Sequence, residues 1–264
     1  MSHSKWATIQ RQKAKTDAGK GATSAKMSRA IIIAARTGVP DPTSNFQLRT
    51  AIDQAKAAGV PKENIERAIA NGAGTFGSED AVESIRYEGY GAGGVAVIVE
   101  ALTDNRNRTA GDLRSAFSKR GGNMGETGCV SWMFDQKGVA TIKAHPPASK
   151  KERAILDEEA LLEAALEGGA ETYELIEFEE DLPGAEIFTE PNNLEQLVQS
   201  LKEQGYLVEQ AELRWIPNNS VEVTDAEQAR SLLRMMDVLQ ELDDVQSVTA
   251  NFEMADELMS LSMG

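Results

Sequence analysis

The sequence predicts an α+β fold: an N-terminal three-helix domain plus two α/β domains of ferredoxin-like character, one inserted in the other. Residues 24–72 repeat apolar side chains at helical spacing, whereas the chain after Gly77 alternates strand-like and helix-like segments. Residues 139–216 follow the order β-α-β-β-α-β, which is the ferredoxin-like order. The segments on either side of them supply further strands and helices, which indicates one domain split by another.

The length of 264 residues suits one large domain or two to three small ones. We expect a basic arm at 1–23, a helical domain at 24–78, a split α/β domain at 79–136 and 217–264, and an inserted domain at 137–216. The first helix starts at Ser24 and ends before Gly38. The second starts near Ser44, which can cap it, and the third runs from Pro61 to Gly72.

Strand and helix patterns define the two α/β domains. In the split domain we expect strands at 84–90, 95–102 and 129–134, a helix at 109–120 capped by Asn107 or Thr109, a helix at 225–242 and a strand at 245–252. In the inserted domain we expect, after a turn at Gly138, strands at 139–143, 171–178, 185–189 and 206–216 and helices at 151–167 and 193–204. The methionines of the tail, residues 253–264, are expected to pack loosely or fray.

Charge is distributed unevenly along the chain, whose net charge is −15. Residues 1–36 hold eight Lys/Arg against one acid, a balance of +7. Residues 141–264 hold eight basic side chains against twenty-eight acids, a balance of −20. A basic arm on an acidic body indicates a polyanion contact made by the arm, although a solvated tail would have the same composition.

The sequence lacks the residues that several classes of enzyme and metal-binding protein require. One cysteine and two histidines exclude a disulfide framework and a Cys-based zinc site and leave little for His-based catalysis. Two G-x-G-x-x-G matches, at 72–77 and 89–94, are interpreted as turn glycines because neither follows a strand and opens a helix. Glu88, Glu100, Asp104 and Glu126 form no tight nuclease motif. We therefore predict no enzyme activity, no cofactor, no metal and no small-molecule substrate.

No apolar run reaches the roughly 18–20 residues that cross a bilayer, so we predict no membrane contact. The single cysteine makes a reducing cytoplasm the expected location. The candidate nucleic-acid-binding residues are the basic side chains of the arm and first helix, one aromatic residue, and two later arginines. They are Lys5, Trp6, Arg11, Lys13, Lys15, Lys20, Lys26, Arg29, Arg106 and Arg108. Lysine and arginine can contact phosphates, and Trp6 can either stack on a base or pack on the body.

Arg106 and Arg108 lie between a predicted strand and a predicted helix, among small polar residues. Two interpretations remain open: the arginines pair with Asp104, or they contact phosphate with bidentate geometry. The segment Lys119-Arg-Gly-Gly-Asn123 extends such a phosphate contact if the fold brings it near.

Six motifs in order resemble the YebC/PmpR family over nearly the whole chain. They are Ser4-Lys-Trp6, Lys26-Met-Ser-Arg29, Pro61-Lys-Glu-Asn-Ile-Glu-Arg67, Tyr87-Glu-Gly-Tyr-Gly91, Leu102-Thr-Asp-Asn-Arg-Asn-Arg108 and Gly121-Gly-Asn-Met-Gly-Glu126. The resemblance implies a helical N-terminal domain and two α/β domains, one inserted in the other. This chain departs from the family pattern at its Met-Ser-His start and at Ala30, where an acidic residue is expected.

Bacterial members of that family are described as probable DNA-binding transcriptional regulators, whereas the mitochondrial translational activator of cytochrome c oxidase points to translation. We therefore expect a nucleic-acid-binding regulator of gene expression, with DNA as its partner. The alternative is a ribosome-associated factor that binds RNA and relieves stalls on proline-rich sequences. Two features favour the alternative: residues 24–72 contain no evident base-reading helix, and the acidic body would be repelled by a long duplex.

Overall fold

The computed structural model describes residues 20–74, 82–145, 154–178 and 182–263. The chain forms two compact units: an outer unit of Met1–Asp135 with Pro217–Gly264, and an inserted unit of Gln136–Ile216. The predicted α+β class, with one part inserted in the other, is confirmed. The outer unit includes the helical region, so the separate status of 24–78 as a domain stays a prediction. Among the described helices, none has the length and apolarity needed to span a bilayer.

The first described elements of the outer unit are three helices: α1 (Lys20–Thr37), α2 (Phe46–Ala57) and α3 (Lys62–Gly72). Asn45, rather than the predicted Ser44, caps α2, because its Oδ1 accepts from the Leu48 amide at 3.0 Å while its Nδ2 donates to the Ala34 carbonyl at 2.8 Å. The cap thus also ties α1 to α2. The helices share a core formed mainly by Ile31, Ala34, Leu48, Ile52, Ala55, Val60, Ile65 and Ala68.

The α/β part of the outer unit begins with β1 (Glu83–Tyr90), β2 (Ala96–Thr103), α4 (Arg106–Ser118) and β3 (Asn123–Met124). After the insertion it continues with β8 (Val221–Glu222), α7 (Ala226–Glu241), β9 (Val245–Ala250), β10 (Phe252–Glu253) and α8 (Asp256–Met263). The main sheet has the order β3-β1-β2-β9, and its described pairings are antiparallel. The sheet, α4 and α7 meet in a core that includes Val97, Val99, Leu113, Phe117, Leu232, Met236 and Leu239.

The inserted unit contains β4 (Phe134–Lys143, which begins in the outer unit), α5 (Glu158–Glu167), β5 (Thr172–Phe178), β6 (Leu182–Thr189), α6 (Leu194–Glu203) and β7 (Leu207–Pro217). Its sheet order β5-β6-β4-β7 places the first and third strands at the centre, as in a ferredoxin-like fold. The pairs of β6 with β4 and with β5 are antiparallel.

The predicted strand at 129–134 and the predicted turn at Gly138 are wrong. Residues Ser131–Met133 form a 3₁₀ turn, and one strand runs through Gly138 from Phe134 to Lys143. A Cβ atom at Gly138 would lie 2.8 Å from the Leu194 Cβ atom, so the glycine serves close packing of β4 against α6.

Three other expectations also need correction. Helix α4 begins earlier than predicted, because Asn105 caps it by accepting from the Arg108 amide at 3.1 Å. Helix α5 begins at Glu158, because the Asp157 side chain caps it by accepting hydrogen bonds from the amides of Glu159 and Ala160. The tail does not pack loosely throughout: Met254 and Met259 are buried in the outer core.

Candidate nucleic-acid interface

The predicted arm residues lie outside the part of the chain that the structure describes. This holds for Lys5, Trp6, Arg11, Lys13 and Lys15. Lys20 begins α1, but its side chain also lies outside the description. Their role therefore stays a prediction. The other four candidate residues, Lys26, Arg29, Arg106 and Arg108, have defined positions.

Asp244, which directly precedes β9, joins two of the predicted arginines. Its buried carboxylate accepts hydrogen bonds from Thr109 at 2.6 Å, Thr103 at 3.1 Å and the Arg108 Nη2 at 2.8 Å, and pairs with the Arg29 Nη1 at 3.1 Å. Burial opposes ionisation of this carboxyl, but the hydrogen bonds and the charge of Arg29 outweigh it and hold the pKa of Asp244 below its ordinary value. The site is thus a buried anion with its own cations.

Helix α1 contacts the same region through its basic face. The Lys26 Nζ donates to the Gln240 carbonyl at 2.6 Å, and the Arg29 Nη1 donates to the Asp243 carbonyl at 2.7 Å. Burial lowers the pKa of Lys26, partly opposed by the charge of Asp243. These two side chains therefore attach α1 to the end of α7 and the loop before β9, and little of their charge faces outward.

Arg108 and Arg106 differ in their surroundings. Arg108 lies between Asp104 and Asp244, with its Nη2 2.8 Å from each carboxylate, and these bonds, above all that to Asp244, raise its pKa. Arg106 is two-thirds exposed and reaches Glu83 only at 3.5 Å. The predicted pairing with Asp104 is therefore observed for Arg108, whose side chain is still 46% exposed. A phosphate contact stays a prediction for both arginines, and Arg106 is the more accessible of the two.

The cleft beside Asp244 has a volume of about 390 Å³. Two guanidinium groups and four carboxylates line it, together with Thr109 and Leu242. The charged residues are Arg29, Arg108, Asp112, Glu241, Asp243 and Asp244. The excess of carboxylates would repel a phosphate, so this cleft is a poor anion site.

A second group of cations lies on α4 and α7. Lys119 and Arg120 follow the end of α4, and the Ser231 Oγ donates to the Arg120 carbonyl at 2.7 Å, which brings this corner against α7 near Arg230 and Arg234. Within the described ranges, none of these four cations forms an ion pair. We call them the basic corner. Sequence reasoning had singled out Lys119 and Arg120 but missed the two arginines of α7, because only the fold brings the helices together.

The connection between α2 and α3, residues 58–61, has the length of a helix-turn-helix turn. The exposed face of α3, however, carries Glu63 and Glu66 beside Lys62 and Arg67, and Lys62 pairs with Glu66 at 3.5 Å. Two carboxylates at the start of a recognition helix would be repelled by the phosphates that border the major groove. This face therefore does not suit duplex reading.

Three of the four carboxylates considered for a nuclease are occupied by other contacts, and the fourth, Glu126, is exposed. Glu88 accepts hydrogen bonds from three backbone amides, Glu100 accepts one from the Ser247 hydroxyl at 3.0 Å, and Asp104 forms an ion pair with Arg108. Over the described part of the chain, no three His, Cys, Asp or Glu side chains converge as a metal site would require.

Comparison with known proteins gives consistent matches over nearly the whole chain. Residues 4–75 match the TACO1/YebC protein N-terminal domain, and residues 82–252 match the TACO1/YebC second and third domain. A "probable transcriptional regulatory protein" of Trichormus variabilis is 65% identical over 261 residues, covering 98% of each chain. One of the same name from Microcystis aeruginosa is 60% identical over 261 residues, covering 99% of each.

Among solved structures, the crystal structure of a conserved hypothetical protein from Aquifex aeolicus is similar, with a TM-score of 0.79 and 44% identity. The match covers 92% of this chain and 94% of that one. The resemblance seen in the sequence motifs is confirmed, and the chain belongs to the TACO1/YebC family.

Proposed function

We propose that this protein is a non-enzymatic, nucleic-acid-binding regulator of gene expression that acts in the cytoplasm. The observation that carries the proposal is the charge of +7 on residues 1–36 beside −20 on residues 141–264. Phosphate contacts by lysine and arginine provide affinity without base recognition, and a concentrated basic segment supplies them. The name of the relatives, probable transcriptional regulatory protein, supports a role in transcription, and for that role the proposed partner is DNA.

The described contacts indicate which basic side chains are available for phosphate binding. Arg29 and Arg108 pair with carboxylates of the protein, and Lys26 donates to a backbone carbonyl, so we assign phosphate binding mainly to the arm. Arg106 and the basic corner have side chains that can add contacts. The acidic remainder limits binding to these places, because it repels a polyanion elsewhere.

A second candidate is an RNA-binding factor that acts at the ribosome. The observation in its favour is the face of α3, whose two carboxylates do not suit the major groove of a DNA duplex. Crosslinking in cells followed by sequencing of the bound DNA and RNA distinguishes the candidates. Promoter sequences would support transcription, and ribosomal RNA would support translation.

The arm is tested by replacing Lys5, Arg11, Lys13 and Lys15 with Gln. Each lost phosphate contact should lower the slope of log affinity against log salt by about 0.9 on a duplex and about 0.7 on a single strand. The matched control replaces four exposed cations elsewhere, Lys56, Lys62, Arg67 and Lys202, with Gln. The arm variant should bind at least about tenfold more weakly at 0.1 M salt than the control. Equal losses in both variants, or none, would contradict the role of the arm.

A further inference from the structure

The loop between β3 and β4 is fixed by a buried carboxylate. The Glu88 side chain is 0% exposed and accepts from the amides of Gly128 at 3.0 Å, Val130 at 2.9 Å and Ser131 at 2.8 Å. Burial opposes ionisation, but these three hydrogen bonds and the charge of Arg86 outweigh it and lower the pKa of Glu88. The loop backbone is therefore held to β1 by a charge-assisted set of bonds.

Further hydrogen bonds hold the end of the loop. The Cys129 carbonyl accepts from the Tyr90 hydroxyl and from the Trp132 Nε1, each at 3.2 Å. The Met133 carbonyl accepts from the Asn218 amide at 2.9 Å, where the chain returns from the inserted unit. The backbone around Trp132 is thus fixed from both sides.

Trp132 is nevertheless 67% exposed. In the described part of the outer unit, the only other exposed large apolar side chain is Val39, which lies in the α1–α2 connection. A docking surface for a protein usually surrounds its aromatic anchor with further apolar side chains. Within the described outer unit, Trp132 is therefore a single exposed aromatic ring on a fixed loop, without further exposed large apolar side chains around it.

We infer that Trp132 is a stacking platform for an unpaired nucleobase. One exposed indole ring matches one base plane, and stacking of this kind accepts every base because each has a π face. The fixed loop reduces the ordering cost, since its backbone needs no rearrangement to present the ring. This inference rests on the proposed function and narrows its ligand to nucleic acid with single-stranded or extruded bases.

The charges beside the loop make it possible to distinguish stacking on Trp132 from phosphate contacts by experiment. Glu126 and Asp135 flank the loop and are exposed, so the loop itself gives no electrostatic attraction. Stacking on Trp132 should therefore change affinity with little change in the salt slope, whereas loss of a phosphate contact changes both.

The test compares the full chain with its Trp132→Ala and Trp132→Phe variants. The probes are a single-stranded oligonucleotide of about 12 nucleotides, as DNA and as RNA, an abasic strand of the same length, and the duplex. Trp132→Ala should weaken single-strand binding roughly tenfold, because stacking contributes about 1–3 kcal/mol per base. It should leave abasic-strand and duplex affinity and the salt slope unchanged. Trp132→Phe should keep most of the affinity, and Val39→Ala, the matched control, should keep all of it.

The outcomes distinguish this inference from the proposed function. If wild type binds the duplex but shows no preference for base-containing over abasic strands, the stacking role is wrong and the proposed function remains. The stacking role is also wrong if Trp132→Ala binds every probe with the affinity of wild type, or if its affinity falls equally for all probes. If wild type binds no probe, both fail. Melting curves of the two Trp132 variants confirm that the fold is intact.

Discussion

At the scale of single residues, Asp244 organises the region where α1 meets the α/β part of the outer unit. Its carboxylate is 8% exposed and has four partners, two of them cationic. A buried charge of this kind stabilises the fold only while its partners are present, because an unpaired buried charge is strongly unfavourable. The same contact occupies Arg29 and Arg108, which the sequence presents as candidate phosphate ligands, and their role in binding stays a prediction.

Asp244→Asn should lower the free energy of unfolding by about 2–3 kcal/mol at pH 7, since it leaves Arg29 and Arg108 without their common carboxylate. The pKa of Asp244 in the folded protein lies below its ordinary value of 3.8, so the stabilisation is complete above pH 3.8. It is lost as the pH falls through the lower folded-state pKa. Denaturant titrations at pH 7 and at pH 2–3 should therefore show the difference between variant and wild type shrinking in acid. Asp243→Asn, at the exposed neighbouring carboxylate, is the control and should change stability by less than about 0.5 kcal/mol.

Residue types could be predicted from the sequence better than residue roles. The basic character of Lys26 and Arg29 is visible in the sequence, but their direction is set by Gln240 and Asp243, more than 200 positions away. The apolar neighbours of Trp132 predict a strand at 129–134. The loop that carries Trp132 is instead held by the Glu88 carboxylate, which accepts hydrogen bonds from three of the loop amides. No local sequence pattern indicates these bonds, because Glu88 lies about 40 positions earlier in the chain.

At the scale of elements, Gly138 shows where periodicity fails. Most helices and strands lie within a few residues of their predicted bounds, because apolar spacing and caps are local signals. A glycine between two apolar runs has two meanings, a turn or a close approach, and the sequence alone does not distinguish them. Here the partner is Leu194 on α6, which packs across the sheet position that Gly138 occupies.

Gly138→Ala should destabilise the inserted unit by about 1–3 kcal/mol, because the new Cβ would lie 2.8 Å from the Leu194 Cβ and 3.2 Å from the Thr189 Cγ2. Gly111→Ala is the control: this glycine lies within α4, and a Cβ there meets nothing within 4 Å. The control should raise the stability of the outer unit by about 0.4–1 kcal/mol, since alanine loses less entropy than glycine in a helix. Hydrogen exchange, followed separately in β4 and in α4, measures both effects. Unchanged protection of β4 in Gly138→Ala would mean that the strand shifts without cost.

At the scale of the whole molecule, opposite charges are separated between parts of one chain. The inserted unit, residues 136–216, holds eighteen acidic and seven basic side chains, while the arm and first helix are strongly basic. Such a body repels a polyanion and so confines it to the basic contacts. The acidic unit would then weaken total affinity and limit non-specific binding at the same time.

Neutralising part of the inserted unit should therefore strengthen binding. Replacement of the exposed Glu159, Glu163, Glu174 and Glu177 with Gln should raise affinity for a nucleic acid a few-fold at about 0.01 M salt, where the screening length is about 30 Å. The gain should fall away at about 1 M salt, where the screening length is about 3 Å. The control replaces the same four residues with Asp, which keeps the charge and should leave affinity unchanged. Titrations of one oligonucleotide at both salt concentrations decide the matter. A gain that persists at high salt would indicate new contacts instead of relieved repulsion, and no gain at low salt would mean that the inserted unit does not influence the bound polyanion.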